Sequence, residues 1–203
     1  MTVLNQSKPA PVSSIADPGA LGLGAFALTT FVLSMANSGF VIGAGAAVLG
    51  LALFYGGIAQ FAAGIWEFAR GNTFAATAFC SFGAFWLAFW FLVVSKGEAA
   101  AGGAGVGVFL LAWTIFTAYM TIAAIKTNVV TLLVFIFLTL TFLFLTLGAF
   151  SGQETLSHIG GYLGLVTAVV AWYGSFATVI NSTFARTVLP VRPARSARES
   201  VGQ

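Results

Sequence analysis

The sequence holds one histidine and one cysteine, and that scarcity limits the chemistry it can perform. Ser175 and His158 are the only nominal nucleophile and base, yet both fall on one predicted helix about 17 residues apart, roughly 25 Å at 1.5 Å per residue. Geometry rules that pair out as a hydrolase centre. His158 and Cys80, with no carboxylate at mid-membrane depth, make no multi-ligand metal site, so zinc and haem are poor fits and no cofactor is expected. Glu67 and Arg70, three residues apart, read as an ion pair on a helix surface. What remains is a set of hydroxyl and amide groups in apolar surroundings, among them Thr30, Asn37, Tyr55 and Gln60. Many such groups bond their own helix carbonyls. The others could line a path for a small, weakly polar or singly charged solute, with phenylalanines closing it by excluding water. Passage rather than catalysis is the chemistry on offer, and no enzyme is expected.

The elements that must position these groups are set by composition. Of 203 residues, 59% are apolar and 6% charged, and the mean hydropathy is +1.00. Lipid is the natural solvent for such a chain, and a bilayer core needs roughly 20 apolar residues per helix. The chain divides into six runs of that kind, at about 19–37, 40–70, 74–94, 106–125, 129–150 and from 156–159 to 181. Each run is apolar all round with no strict alternation, so helices rather than barrel strands satisfy the backbone. Asp17-Pro18 opens the first span, Asn72-Thr73 caps the third, and the second span is long enough to tilt or to contain an irregular stretch near Tyr55-Gly56-Gly57. Lys96 to Gly105 reads as a glycine-rich loop. Small residues at four-residue spacing, such as Gly160 and Gly164, let helix backbones approach.

The fold class is therefore an all-α polytopic membrane protein with six transmembrane helices. It comprises a disordered tail over 1–18, a transmembrane domain over 19–181 and a basic tail over 182–203. Six spans put Lys8, Arg70, Lys126 and the arginines 186, 192, 195 and 198 on one side, against Lys96 on the other. The positive-inside rule then makes both termini cytoplasmic. The net charge of +3 belongs largely to that tail, where it meets anionic membrane lipid rather than nucleic acid.

Four blocks carry a family resemblance: Asp17-Pro18-Gly19-Ala20-Leu21-Gly22-Leu23, Phe54-Tyr55-Gly56-Gly57-Ile58-Ala59-Gln60, Gly71-Asn72-Thr73-Phe74 leading to Phe85-Trp86, and Phe184-Ala185-Arg186-Thr187-Val188-Leu189-Pro190. Together they closely resemble the acetate uptake transporter family, the bacterial succinate-acetate permeases and their fungal relatives. The resemblance implies a plasma-membrane homohexamer in which each six-helix protomer has its own solute path for acetate and, to a lesser degree, succinate. It also implies a hydrophobic constriction at Phe26, Phe82 and Leu138, and a size-tuning position at Ala171. Three departures stand out. Asp17 replaces the family's asparagine and adds a negative charge at the mouth, Ala20 replaces a proline in the same block, and Phe82 replaces a common tyrosine and lacks its hydroxyl.

The expected function is a permease or channel for acetate and related small carboxylates. Acetate titrates near glutamate, at about pH 4.3, so little of it is neutral at pH 7 and an anion path has a use. The absence of a central titratable group favours passive permeation over proton coupling. The alternatives are a conduit for ammonia or another small neutral solute, and a membrane scaffold that transports nothing.

Overall fold

A computed structural model describes residues 15–194. Among these residues, six helical passages are long and apolar enough to cross a membrane. They are built from α1 (Gly19–Asn37), α2 (Ala44–Leu53), a π-helical segment (Phe54–Ala59), α3 (Gln60–Ala69), α4 (Thr73–Val94), α5 (Gly97–Ala124), α6 (Val129–Ser151) and α7 (Glu154–Thr183). The second passage is α2, the π segment and α3 in succession.

Local chemistry explains most of the helix ends. Asn72 and Asn128 cap α4 and α6, their side chains accepting from the backbone N–H of Ala75 at 3.2 Å and Thr131 at 2.9 Å. Each satisfies a donor that the first helical turn would otherwise orphan. Asp17 Oδ1 accepts from the N–H of Gly19 at 2.9 Å and fixes the start of α1. Gly152, at φ 69°, closes α6.

Two expectations are corrected. The stretch 96–105 is not a loop: α5 begins at Gly97 and is interrupted only at Gly102, with φ 62° and ψ −178°. Alanine-rich sequence with Glu98 in the first turn favours helix, and the glycine admits the one backbone conformation that lets the axis change direction. The second passage starts at Ala44 rather than at residue 40 because Phe40 to Gly43 forms an exposed turn after Gly39, whose φ is 78°.

The irregularity expected near Tyr55 is the π segment itself. Its Gly56 is packed so closely that a Cβ there would come within 2.7 Å of Thr29 Oγ1 and 2.8 Å of Trp86 Cδ1. A side chain at this position would push α1 and α4 away from the second passage.

In the bundle α1 packs chiefly on α7, α7 on α6, α6 on α5, and α3 on α4. Gly160 and Gly164 of α7 do face neighbours closely, against Leu145 and Ser34. The buried core is aromatic at its centre, with Phe26, Phe82, Phe85, Trp86, Phe135 and Phe142 in one cluster.

Both described ends of the chain lie at one end of the bundle, here called the tail end. Ser175 donates to the carbonyl of Ala20 at 2.7 Å there. The described part of the C-terminal segment folds back instead of hanging free: Val129 donates to the carbonyl of Arg192 and Ala194 to that of Thr127. Asn181 binds Leu189 and Val188, and the Tyr173 hydroxyl donates to the carbonyl of Pro190. The expected disorder over 1–18 falls mostly outside the described residues, but Asp17 and Pro18 are seated on the bundle.

Candidate solute path

Phe26 on α1, Phe82 on α4 and Leu138 on α6 belong to one buried cluster, each no more than 4% exposed. The rings of Phe26 and Phe82 are 5.8 Å apart, and Phe82 is surrounded by further rings, Phe116 at 5.4 Å and Phe135 at 6.0 Å. The three helices are the first, third and fifth passages, so they run in the same direction.

A cavity of about 240 Å³ borders this cluster. On each of the three helices the lining residues begin at the same level. They start at Phe26 and continue to Asn37 on α1, start at Phe82 and continue to Leu92 on α4, and start at Leu138 and continue to Ala149 on α6. Phe26, Phe82 and Leu138 therefore form the floor of a cavity that extends only toward the far end of the bundle, where Glu98 and Ser157 complete its lining. A ring of bulky apolar side chains at that floor excludes water, which is how a hydrophobic constriction closes a path.

Thr30 and Asn37 line the cavity; Tyr55, Gln60 and Ala171 do not. The Tyr55 hydroxyl instead lies against Gly24, 3.4 Å from where a Cβ would stand. Gln60 is 1% exposed and its Oε1 has no hydrogen-bond partner among the described residues. Ala171 is fully buried in the same apolar cluster as the three floor residues. Gly22 packs against the ring of Phe79, and Asp17, Pro18, Asn72 and Thr73 gather at the tail end.

At the tail end the structure corrects the reading of Glu67 as a helix-surface group. Its residue exposure is 1%, and it faces the start of α1, with Oε1 3.4 Å from the position of a Gly19 Cβ. Arg70 Nη1 lies 2.9 Å from Asp17 Oδ1 and 3.7 Å from Glu67 Oε2. The additional charge of Asp17 is thus held by a guanidinium, and one arginine serves two carboxylates. Glu67 shares the buried face of α3 with Gln60, Ala63 and Gly64, while Phe61, Ile65, Trp66 and Phe68 face outward, so the polar face is turned inward, the reverse of the pattern in a soluble protein.

Most threonine hydroxyls are committed to the carbonyl four residues back, as at Thr29, Thr117, Thr141 and Thr167. Two further pairs, Thr114 with Thr146 at 3.1 Å and Thr121 with Thr139 at 2.9 Å, join α5 to α6. His158 sits beside Gly39 at the far end, remote from Ser175 at the tail end. Trp86, which sequence reasoning placed only within a motif, lines the cavity, and its indole nitrogen has no hydrogen-bond partner among the described residues.

The sequence pattern of the GPR1/FUN34/yaaH family matches residues 2–194. The chain belongs to that family. A relative in Escherichia coli, named succinate-acetate/proton symporter SatP, is 38% identical over 182 residues, covering 88% of this chain and 96% of the relative. The ammonia transport outward protein 2 of Saccharomyces cerevisiae is 42% identical over 182 residues, covering 84% of this chain. The chain spans only 64% of that yeast protein's length. A solved structure described as the bacterial acetate channel SatP superposes with a TM-score of 0.83 at 37% identity, over 88% of this chain and 99% of the other. Six apolar passages and these relatives make the chain a multi-pass membrane protein of a transporter family.

Proposed function

We propose that this protein is a permease for acetate and related small carboxylates, with the path inside each protomer and its gate at Phe26, Phe82 and Leu138. The observation that carries the reading is the shared floor: three side chains from parallel helices close one cavity at one level. The names of the E. coli relative and of the bacterial acetate channel support acetate as the solute. Both termini face the cytoplasm, so the cavity opens outward, in keeping with the distribution of basic residues. The protomers assemble as a homohexamer, in keeping with the family resemblance.

A conduit for ammonia is the second reading, favoured by the name of the yeast relative. Liposomes containing only this protein separate the two. Uptake of labelled acetate above that of protein-free liposomes is expected. Alkalinisation by ammonia with no acetate uptake would replace the first reading with the second.

A further inference from the structure

We propose that Glu98 is a charge filter at the far-end mouth of the path, passing singly charged carboxylates and holding back doubly charged ones. The inference rests on the permease reading and adds a residue that decides which acids enter.

Glu98 is the sole charged residue in the lining of the cavity, and no lysine or arginine lines it. Lys96, two residues earlier, is exposed and stands outside that lining. Asp17 at the tail end has Arg70 at 2.9 Å, whereas Glu98 is in no ion pair among the described residues. The lining residues Asn37 and Ser157 at the same end are uncharged. The N-terminus of α5 carries a partial positive charge that favours a carboxylate in the first turn and offsets only part of its charge. A solute entering from the far end therefore meets a net negative charge before it reaches the gate.

The backbone of α5 brings Glu98 to this place. Val106, Phe109 and Leu110 line the cavity from the body of the helix, while Glu98 lies beyond the interruption at Gly102. Gly102 has φ 62° and ψ −178°, a region open essentially to glycine alone. Nothing lies within 4 Å of where its Cβ would stand, so conformation and not crowding calls for glycine. The change of direction there sets the first turn of α5 at the rim of the cavity.

Such a residue reads charge, while the apolar gate reads size. Glu98 is exposed to solvent, and in that high dielectric one unit of repulsion at close approach changes the local concentration of a monoanion about two- to fivefold. Repulsion grows with the product of the charges, so a dianion is depleted by about the square of that factor.

The test compares uptake of labelled acetate and of labelled oxalate, a compact dianion, into liposomes containing the wild type, Glu98→Gln, Glu98→Lys or Glu154→Gln. Uptake is measured at low and at high salt near pH 7, where carboxylates are ionised, with thermal unfolding recorded for each protein. Every solute that crosses passes this mouth, whichever way the protein inserts. Glu154 is the control, because it is exposed in the first turn of α7 at the same end and is not in the lining. At low salt Glu98→Gln should raise acetate uptake about two- to fivefold and oxalate uptake by a larger factor. Glu98→Lys should raise both further, and Glu154→Gln should change neither. At high salt, where the screening length falls to about 3 Å, the gains should shrink. If no protein moves oxalate, the acetate comparison decides alone. Unchanged acetate uptake in Glu98→Gln at low salt, an equal rise in Glu154→Gln, or an oxalate gain no larger than the acetate gain overturns the filter and leaves the permease reading intact. A wild type and variants that all move no acetate overturn both.

Discussion

The rings of Phe26 and Phe82 lie 5.8 Å apart between centroids and tilt by 49°, closing the inner limit of a cavity that both residues line. Their contact joins the first and third membrane passages at the level where Leu138 enters from the fifth. Under the proposed function, apolar packing and solute control depend on the same side chains.

Truncating Phe26, Phe82 or Leu138 to alanine should raise acetate flux or admit a larger acid. Because three side chains share one barrier, a double variant should gain less than the product of the single gains. Each truncation also costs about 2 to 5 kcal/mol of packing, so thermal stability in detergent is to be read beside flux. Variants that lose stability and gain no permeability would make these positions core alone.

How much of this was legible in the sequence differs from residue to residue. The length of apolar runs against the bilayer thickness marks the six passages, and Asn72 announces a helix start through the donor that it can satisfy. The break around Tyr55-Gly56-Gly57 is visible because two adjacent glycines interrupt a long run. Residues 96–105 mislead, since glycine signals both a loop and a helix able to bend, and only the structure shows that Gly102 alone leaves helical geometry. The burial of Glu67 and the hydroxyl of Thr30, which has no hydrogen-bond partner among the described residues, are beyond sequence patterns. Each depends on which neighbour faces the group, and that is a property of the packed bundle.

The charge cluster at the tail end should respond unequally to its members. Arg70→Gln leaves buried Glu67 and its neighbour Asp17 without a cation and should cost about 1 to 3 kcal/mol. Asp17→Asn removes one partner of a half-exposed pair and should cost less than about 1 kcal/mol. Thermal unfolding of the two variants orders them, and a larger loss for Asp17→Asn would contradict the geometry.

Topology and assembly can be checked on a background without native thiols, since Cys80 is the only cysteine. In a Cys80→Ser protein, a cysteine introduced by Ala100→Cys, at an exposed position, should react with an impermeant reagent in intact cells, and one introduced by Arg186→Cys should not. The reverse pattern would invert the orientation. Mass measurement in mild detergent should report a hexamer, and a clean monomer in several detergents would remove the expected assembly.

The central claim is that the solute crosses between Phe26, Phe82 and Leu138, and blocking that opening tests it most directly. A protein carrying Cys80→Ser and Leu138→Cys should move acetate in liposomes. Its introduced thiol should also react with a small charged methanethiosulfonate entering through the cavity, and acetate flux should then fall to a small remainder as modification proceeds, followed by mass. A thiol at that position that cannot be reached from the cavity, or that is fully modified while acetate flux is unchanged, would show that the path lies elsewhere.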